Sequence, residues 1–136
     1  MSSQKPLELI LARNLLSSIS TPAFLVGEEG MLLFYNEAAG AMLGRTFEDS
    51  GRRSAEDWVR EFGPFGDDDK PMQYEEIPAT IAVRNNRPFH GKFRICTTEG
   101  HRDVEASTIP IVGPGGSTGA IVIFWPVKAS PPGESE

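Results

Sequence analysis

A chain of 136 residues with a formal net charge of -6 and a pI near 5.0 reads as one acidic domain. That balance argues against nucleic acid as a partner, because phosphate binding needs a basic face. Apolar content of 39% and charged content of 24% suit a soluble globular domain with a single buried core. Cys96 is the only cysteine, so no internal disulfide can form, which fits a reducing cytoplasm.

Residues 5–19 read as a helix, with Pro6 in the first turn and an apolar stripe of Leu7, Ile10, Leu11, Leu15 and Ile19. Leu9 and Leu16 fall on nearly the opposite side. They are therefore the candidate second contact surface, a dimer interface, the alternative being scattered surface leucines. The apolar run is too short and too charged to span a membrane, and it lacks the small-residue cleavage site of a signal peptide. A cytoplasmic protein with no membrane contact is expected.

Phe24–Val26 and Met31–Tyr35 are strand-like runs joined by Gly27-Glu28-Glu29-Gly30, a hairpin signal. Asn36 stands where a helix N-cap belongs, Glu37 suits the positive end of the dipole, and Gly44 sits where a left-handed C-cap belongs. Ser54 and Asp57 open a short helix from Ala55 to Phe62. GPFGDDDKP is a loop by composition, and its three adjacent aspartates lack the alternating ligands of a calcium loop. Glu75-Glu76-Ile77-Pro78 opens a further helix that runs to about Asn85.

Three strands follow. Lys92–Thr97 places Phe93, Ile95 and Thr97 on one side, and His101–Val112 opposes Val104, Ala106 and Thr108 to Asp103, Glu105 and Ser107. Glu99-Gly100 and GPGGSTG are the turns. The last strand, Ala120–Val127, is apolar on both faces, which predicts a central position. The fold class is α+β, with one five-stranded antiparallel sheet.

In order and in residues, this pattern resembles a PAS domain. The resemblance rests on Glu29-Gly30, Asn36, Ala38-Ala39, Leu43-Gly44, Glu76-x-Pro78 and Arg87-Pro88-x-x-Gly91. It continues through Glu99-Gly100-x-Arg102, Ile109-Pro110-Ile111 and Gly119-Ala120-Ile121-Val122, covering about residues 8 to 127. Glu29 replaces the usual Asp of the first turn. Trp125-Pro126-Val127 replaces the Asp-x-Thr that often leads into a signalling helix. The resemblance implies a PAS-like sheet with short helices on one face and an N-terminal amphipathic helix. Residues 1–20 would then be a helical cap, 21–127 the PAS domain, and 128–136 a disordered tail with no output domain. It also implies a sensory module that works through protein contacts, as a homodimer or on a signalling partner in trans.

Site chemistry is then tested by elimination. The 78–86 helix has no His, Cys or Tyr for haem, His90 and His101 read as satisfied or solvent-facing, and Met72 reads as packing. Cys96 lies in a strand and no Asn-Cys-Arg-Phe-Leu-Gln motif surrounds it, which counts against covalent flavin. No nucleophile and base, paired carboxylates, metal cluster or phosphate loop is recognisable, so no enzyme and no cofactor are expected. Phe34, Leu43, Trp58, Ile77, Ile81, Phe93, Ile95, Val122 and Phe124 form the candidate apolar set. They either line a cavity for a small apolar ligand or fill the core. Arg94 and Arg102 are candidates for an acidic headgroup at the mouth of such a cavity. A non-signalling carrier of a lipid or other small molecule is the alternative function.

Overall fold

The computed structural model describes residues 7–27, 30–66, 68–113 and 116–127. Helix α1 (Leu7–Leu16) leads to strands β1 (Ala23–Gly27) and β2 (Leu32–Tyr35). Helices α2 (Glu37–Leu43), α3 (Phe47–Ser50) and α4 (Ala55–Phe62) follow, then α5 (Pro78–Asn85) after a single 3-10 turn. Strands β3 (Phe89–Thr97), β4 (Gly100–Gly113) and β5 (Gly116–Pro126) complete one antiparallel sheet in the order β2-β1-β5-β4-β3.

β5 is central, as its two apolar faces require. Val122 and Phe124 join the core beneath α4 and α5, while Ile121 and Ile123 face α1 on the other side. β1 divides in the same way: Phe24 and Val26 face α4 and α5, and Ala23 and Leu25 face α1. Both faces are thus covered, which is why all five residues of β1 are buried.

Capping residues set the helix boundaries. Asn36 accepts from the Ala39 N–H at 3.0 Å to start α2, and Gly44 ends it in the left-handed region at φ 83°. Ser54 accepts from the Asp57 N–H at 3.3 Å at the start of α4. Pro78 occupies the first turn of α5, with Glu75 and Glu76 in the preceding 3-10 turn rather than in the helix. α3 has no counterpart in the sequence reading, because FEDS is a single turn with no apolar period; Thr46 caps it at 3.2 Å.

β3 starts three residues before the expected Lys92, and β5 starts at Gly116 inside the expected GPGGSTG turn. Both extensions are supported by pairing to β4, from Phe89↔Thr108 and from Gly113↔Gly116. Beyond Thr108 β4 loses its β3 neighbour, so Pro110 sits where only one side needs ladder hydrogen bonds. Each outer strand carries one further bridge that blunts its open edge: Leu32 with Arg53 on β2, and Arg94 with Phe65 on β3.

α1 corrects one expectation outright. Leu9, Ala12 and Leu16 are buried against Ala23, Leu25 and Phe34, whereas Leu7, Ile10, Leu11 and Leu15 are exposed. The two faces are exchanged relative to the sequence reading. The longer aliphatic stripe scores higher in apolar content, but Ala12 in the shorter one lets the helix axis approach the sheet closely. Leu9 and Leu16 are therefore core residues of the domain itself.

Candidate functional site

The space between α4, α5 and the sheet is dominated by Phe24. Its ring meets Phe124 at 5.1 Å and 70°, Trp58 at 6.0 Å and 82°, and Tyr35 at 5.7 Å. The first two contacts are edge-on and the third is tilted, and together they fill volume densely. The Trp58 indole N–H donates to the Gly30 carbonyl oxygen at 2.7 Å, which orients the ring without leaving its polar atom unpaired.

A cavity of about 20 Å³ is left among Phe24, Trp58, Ile77, Phe93, Ile95 and Phe124, with Gly63 and Pro64 closing one side. That is room for about one water molecule, and the walls offer such a water almost nothing polar. Trp58, Ile77, Phe93, Ile95, Val122 and Phe124 of the candidate set are brought together there. Three others are not. Phe34 lies on the opposite face of the sheet, under the Arg13 guanidinium at 4.5 Å from its ring centroid. Leu43 packs half-buried on the edge of the core, and Ile81 is half-buried and does not line the cavity. Phe34 is displaced because a register shift in β1 and β2 breaks the simple alternation of faces.

A polar cluster absent from the sequence reading lies beside this cavity. Arg94 on β3 donates through Nη1 to Asp69 Oδ1 and through Nε to Asp103 Oδ1, each at 2.9 Å. His101 Nδ1 is 3.1 Å from the same Asp69 oxygen, and the His101 ring stacks on Phe65 at 4.6 Å and 14°. The bonds from Arg94, and then that from His101, hold the Asp69 carboxyl below its ordinary range. The two carboxylates push Arg94 in the opposite direction, so it stays charged at every ordinary pH. Arg94 is thus paired with carboxylates of the chain itself, as is Arg102 with Glu99 at 3.0 Å.

The Arg94–Asp103 contact was accessible to sequence reasoning. A turn at Glu99-Gly100 sets the hairpin register, which places Arg94 opposite Asp103. Asp69 was not, since it arrives from a loop 25 residues away. On the outer sheet face His90 Nδ1 lies 3.1 Å from Ser107 Oγ, exposed to solvent as expected. Among the described residues no group of three or more His, Cys, Asp or Glu side chains is placed to hold a metal ion. No helix among them is long and apolar enough to cross a membrane.

Solved structures share the fold. The PAS domain of a protein from Colwellia psychrerythraea superposes with a TM-score of 0.63 at 17% identity, covering 87% of this chain and 97% of that one. A PAS domain from a two-component sensor histidine kinase gives 0.58 at 18% identity, covering 91% and 100%. The LOV protein of Rhodobacter sphaeroides gives 0.67 at 14% identity, covering 96% and 73%. The fold is that of a PAS domain. No protein-family model matches the sequence, and no curated protein resembles it closely enough to count as a relative.

Proposed function

We propose that this chain is a sensory PAS module that signals through protein contacts made by the outer face of α1, first of all with a second copy of itself. The observation that carries this reading is the exposure of Leu7, Ile10, Leu11 and Leu15, at 66%, 44%, 57% and 58%, along one face of one helix. Ile109, at 39% exposure, adds to the apolar surface on the same side of the sheet. A contiguous apolar stripe of this kind on a small acidic domain costs solubility unless something covers it. The likeness to a sensor histidine kinase PAS domain supports the sensory part of the reading.

The route for a signal is short. α1 packs on β1, β4 and β5, and the other face of β4 and β5 meets α5. A change in core packing therefore reaches the α1 seat across one sheet thickness, and shifts the balance between two dockings of α1. A small apolar molecule that widens the core as it enters is the reading for the input, since the closed cavity holds about one water. A resident lipid, as a carrier would hold, is not favoured by a cavity of about 20 Å³.

Light scattering of the wild type and of Leu11→Glu with Leu15→Glu tests the proposal. A dimer that becomes a folded monomer supports it. A wild type that stays monomeric at high concentration sinks the homodimer and leaves a partner in trans.

A further inference from the structure

Phe93 belongs to two spaces at once. On one side it lines the core cavity of about 20 Å³. On the other it lines an open cleft of about 570 Å³, together with Phe65, Met72, Lys92 and Arg94. One half-buried ring is thus the partition between solvent and the apolar interior. Gly63–Gly66, at the start of the loop that leads to Pro71, form the facing wall. Gly63 and Pro64 close the core, and Phe65 and Gly66 face the cleft.

Among the described residues that loop is held by the buried Phe65 side chain and by a short set of polar contacts. It makes its own turns, Gly66 N–H to Lys70 O at 2.9 Å and Asp69 N–H to Gly66 O at 2.9 Å. It joins β3 at a single bridge, Phe65 N–H to Arg94 O at 2.8 Å and Arg94 N–H to Phe65 O at 3.3 Å. Its further anchors among the described residues are the Met72 N–H to Pro64 O bond at 3.0 Å, the Arg94–Asp69 ion pair, the His101–Asp69 hydrogen bond and the Phe65–His101 stack. The side chains of Asp69 and His101 are 54% and 37% exposed. Contacts this open to water are individually weak and break locally without unfolding the sheet.

We propose that the cleft is the entrance through which a small apolar or aromatic molecule reaches the core, with Phe93 as its gate. Arg94 is the latch. Its guanidinium is pinned to the hairpin by Asp103 and holds the loop through Asp69, so the facing wall stays shut until that pair opens. Loop opening and rotation of Phe93 then join the two spaces. The apolar part of the cleft (Phe65, Met72 and Phe93) receives the molecule, while Lys92 and Arg94 are balanced there by Glu76 and Asp103, so the lining selects no sign of charge. The entrance rests on the ligand reading proposed above, whereas the latch stands without it.

Amide hydrogen exchange on the full chain separates the two. In Arg94→Gln, and in Asp69→Asn as a second variant, the amides of Phe65, Gly66, Asp69 and Met72 should exchange about tenfold faster. Those of β1 and β5 should be unchanged. Equal exchange at the loop amides in both variants and the wild type overturns the latch. For the entrance, indole is titrated against Phe93→Ala and wild type, with the Ile77 and Val122 methyl resonances as the readout. Shifts in Phe93→Ala, appearing at lower indole concentration than in wild type, support the gate. Absence of shifts in Phe93→Ala overturns the entrance while leaving the latch to stand on the exchange data.

Discussion

The side-chain amide nitrogen of Asn36 donates to the carbonyl oxygen of Leu16 at 3.1 Å, tying the last turn of α1 to the first turn of α2. The same amide group donates to Thr21 O at 2.8 Å. Its carbonyl oxygen accepts from the Ala23 N–H at 3.1 Å and the Ala39 N–H at 3.0 Å. One buried residue thereby satisfies four backbone groups from the end of α1, the segment that follows it, β1 and α2. It does more than cap a helix. It seats α1, the element on which the proposed signalling surface lies.

Asn36→Ala should therefore destabilise the domain by about 3 kcal/mol, combining a lost N-cap with buried backbone groups left unpaired. Urea denaturation followed by tryptophan fluorescence would measure it. Asn36→Ser, which keeps an acceptor for Ala39, should recover about 1 kcal/mol. A loss well under 1 kcal/mol for the alanine variant would mean that water replaces all four bonds.

The two faces of α1 should behave differently. Leu16 is 1% exposed, so Leu16→Ala should cost about 3 kcal/mol through the lost transfer energy and the cavity left behind. Leu11→Ala, on the exposed face, should change stability by no more than about 0.5 kcal/mol. Thermal unfolding of the two variants side by side checks this. Equal losses would contradict the orientation of the helix.

Thr108 lies on the inner face of β4 with 0% exposure, and its hydroxyl has no hydrogen-bond partner among the described residues. An unpaired buried hydroxyl costs stability, and valine has nearly the same shape. Thr108→Val is expected to raise stability by about 1 kcal/mol in chemical denaturation. A destabilised variant would place an ordered partner on that oxygen.

The latch also has an expected pH response. Asp69 has a folded-state pKa below its ordinary value, so the ionised carboxylate contributes stability that is fully present above the ordinary carboxylate range. It is lost progressively as pH falls from the ordinary range through the depressed value. Side-chain carboxyl resonances followed by NMR should show Asp69 titrating below the ordinary carboxylate range, with the loop amide signals moving in step. Arg94→Gln should raise Asp69 toward the ordinary range, with the His101 bond still holding it somewhat below. An unchanged Asp69 titration in that variant would remove Arg94 as the cause.

Much of the strand and turn order was legible in the sequence because it depends on local chemistry. Acidic-Gly turns, alternation over His101–Val112 and caps at Asn36, Gly44 and Ser54 each act within a few residues. The central place of β5 was legible for a related reason, since only a strand covered on both faces can be apolar on both. α3 escaped because one capped turn has no period to detect. The shift of Phe34 to the other face escaped because a register irregularity is a property of two strands together.

The sequence by itself thus determined which elements form and the PAS-like order in which they come. It left undecided which of two apolar stripes on α1 would be buried, because hydrophobicity ranks the stripes without knowing what each must fit. The tertiary structure chose Leu9, Ala12 and Leu16, the face that a flat sheet can approach, and turned the longer aliphatic stripe outward. It also joined Asp69 to Arg94 and His101 across a long separation, a pairing that no local pattern encodes.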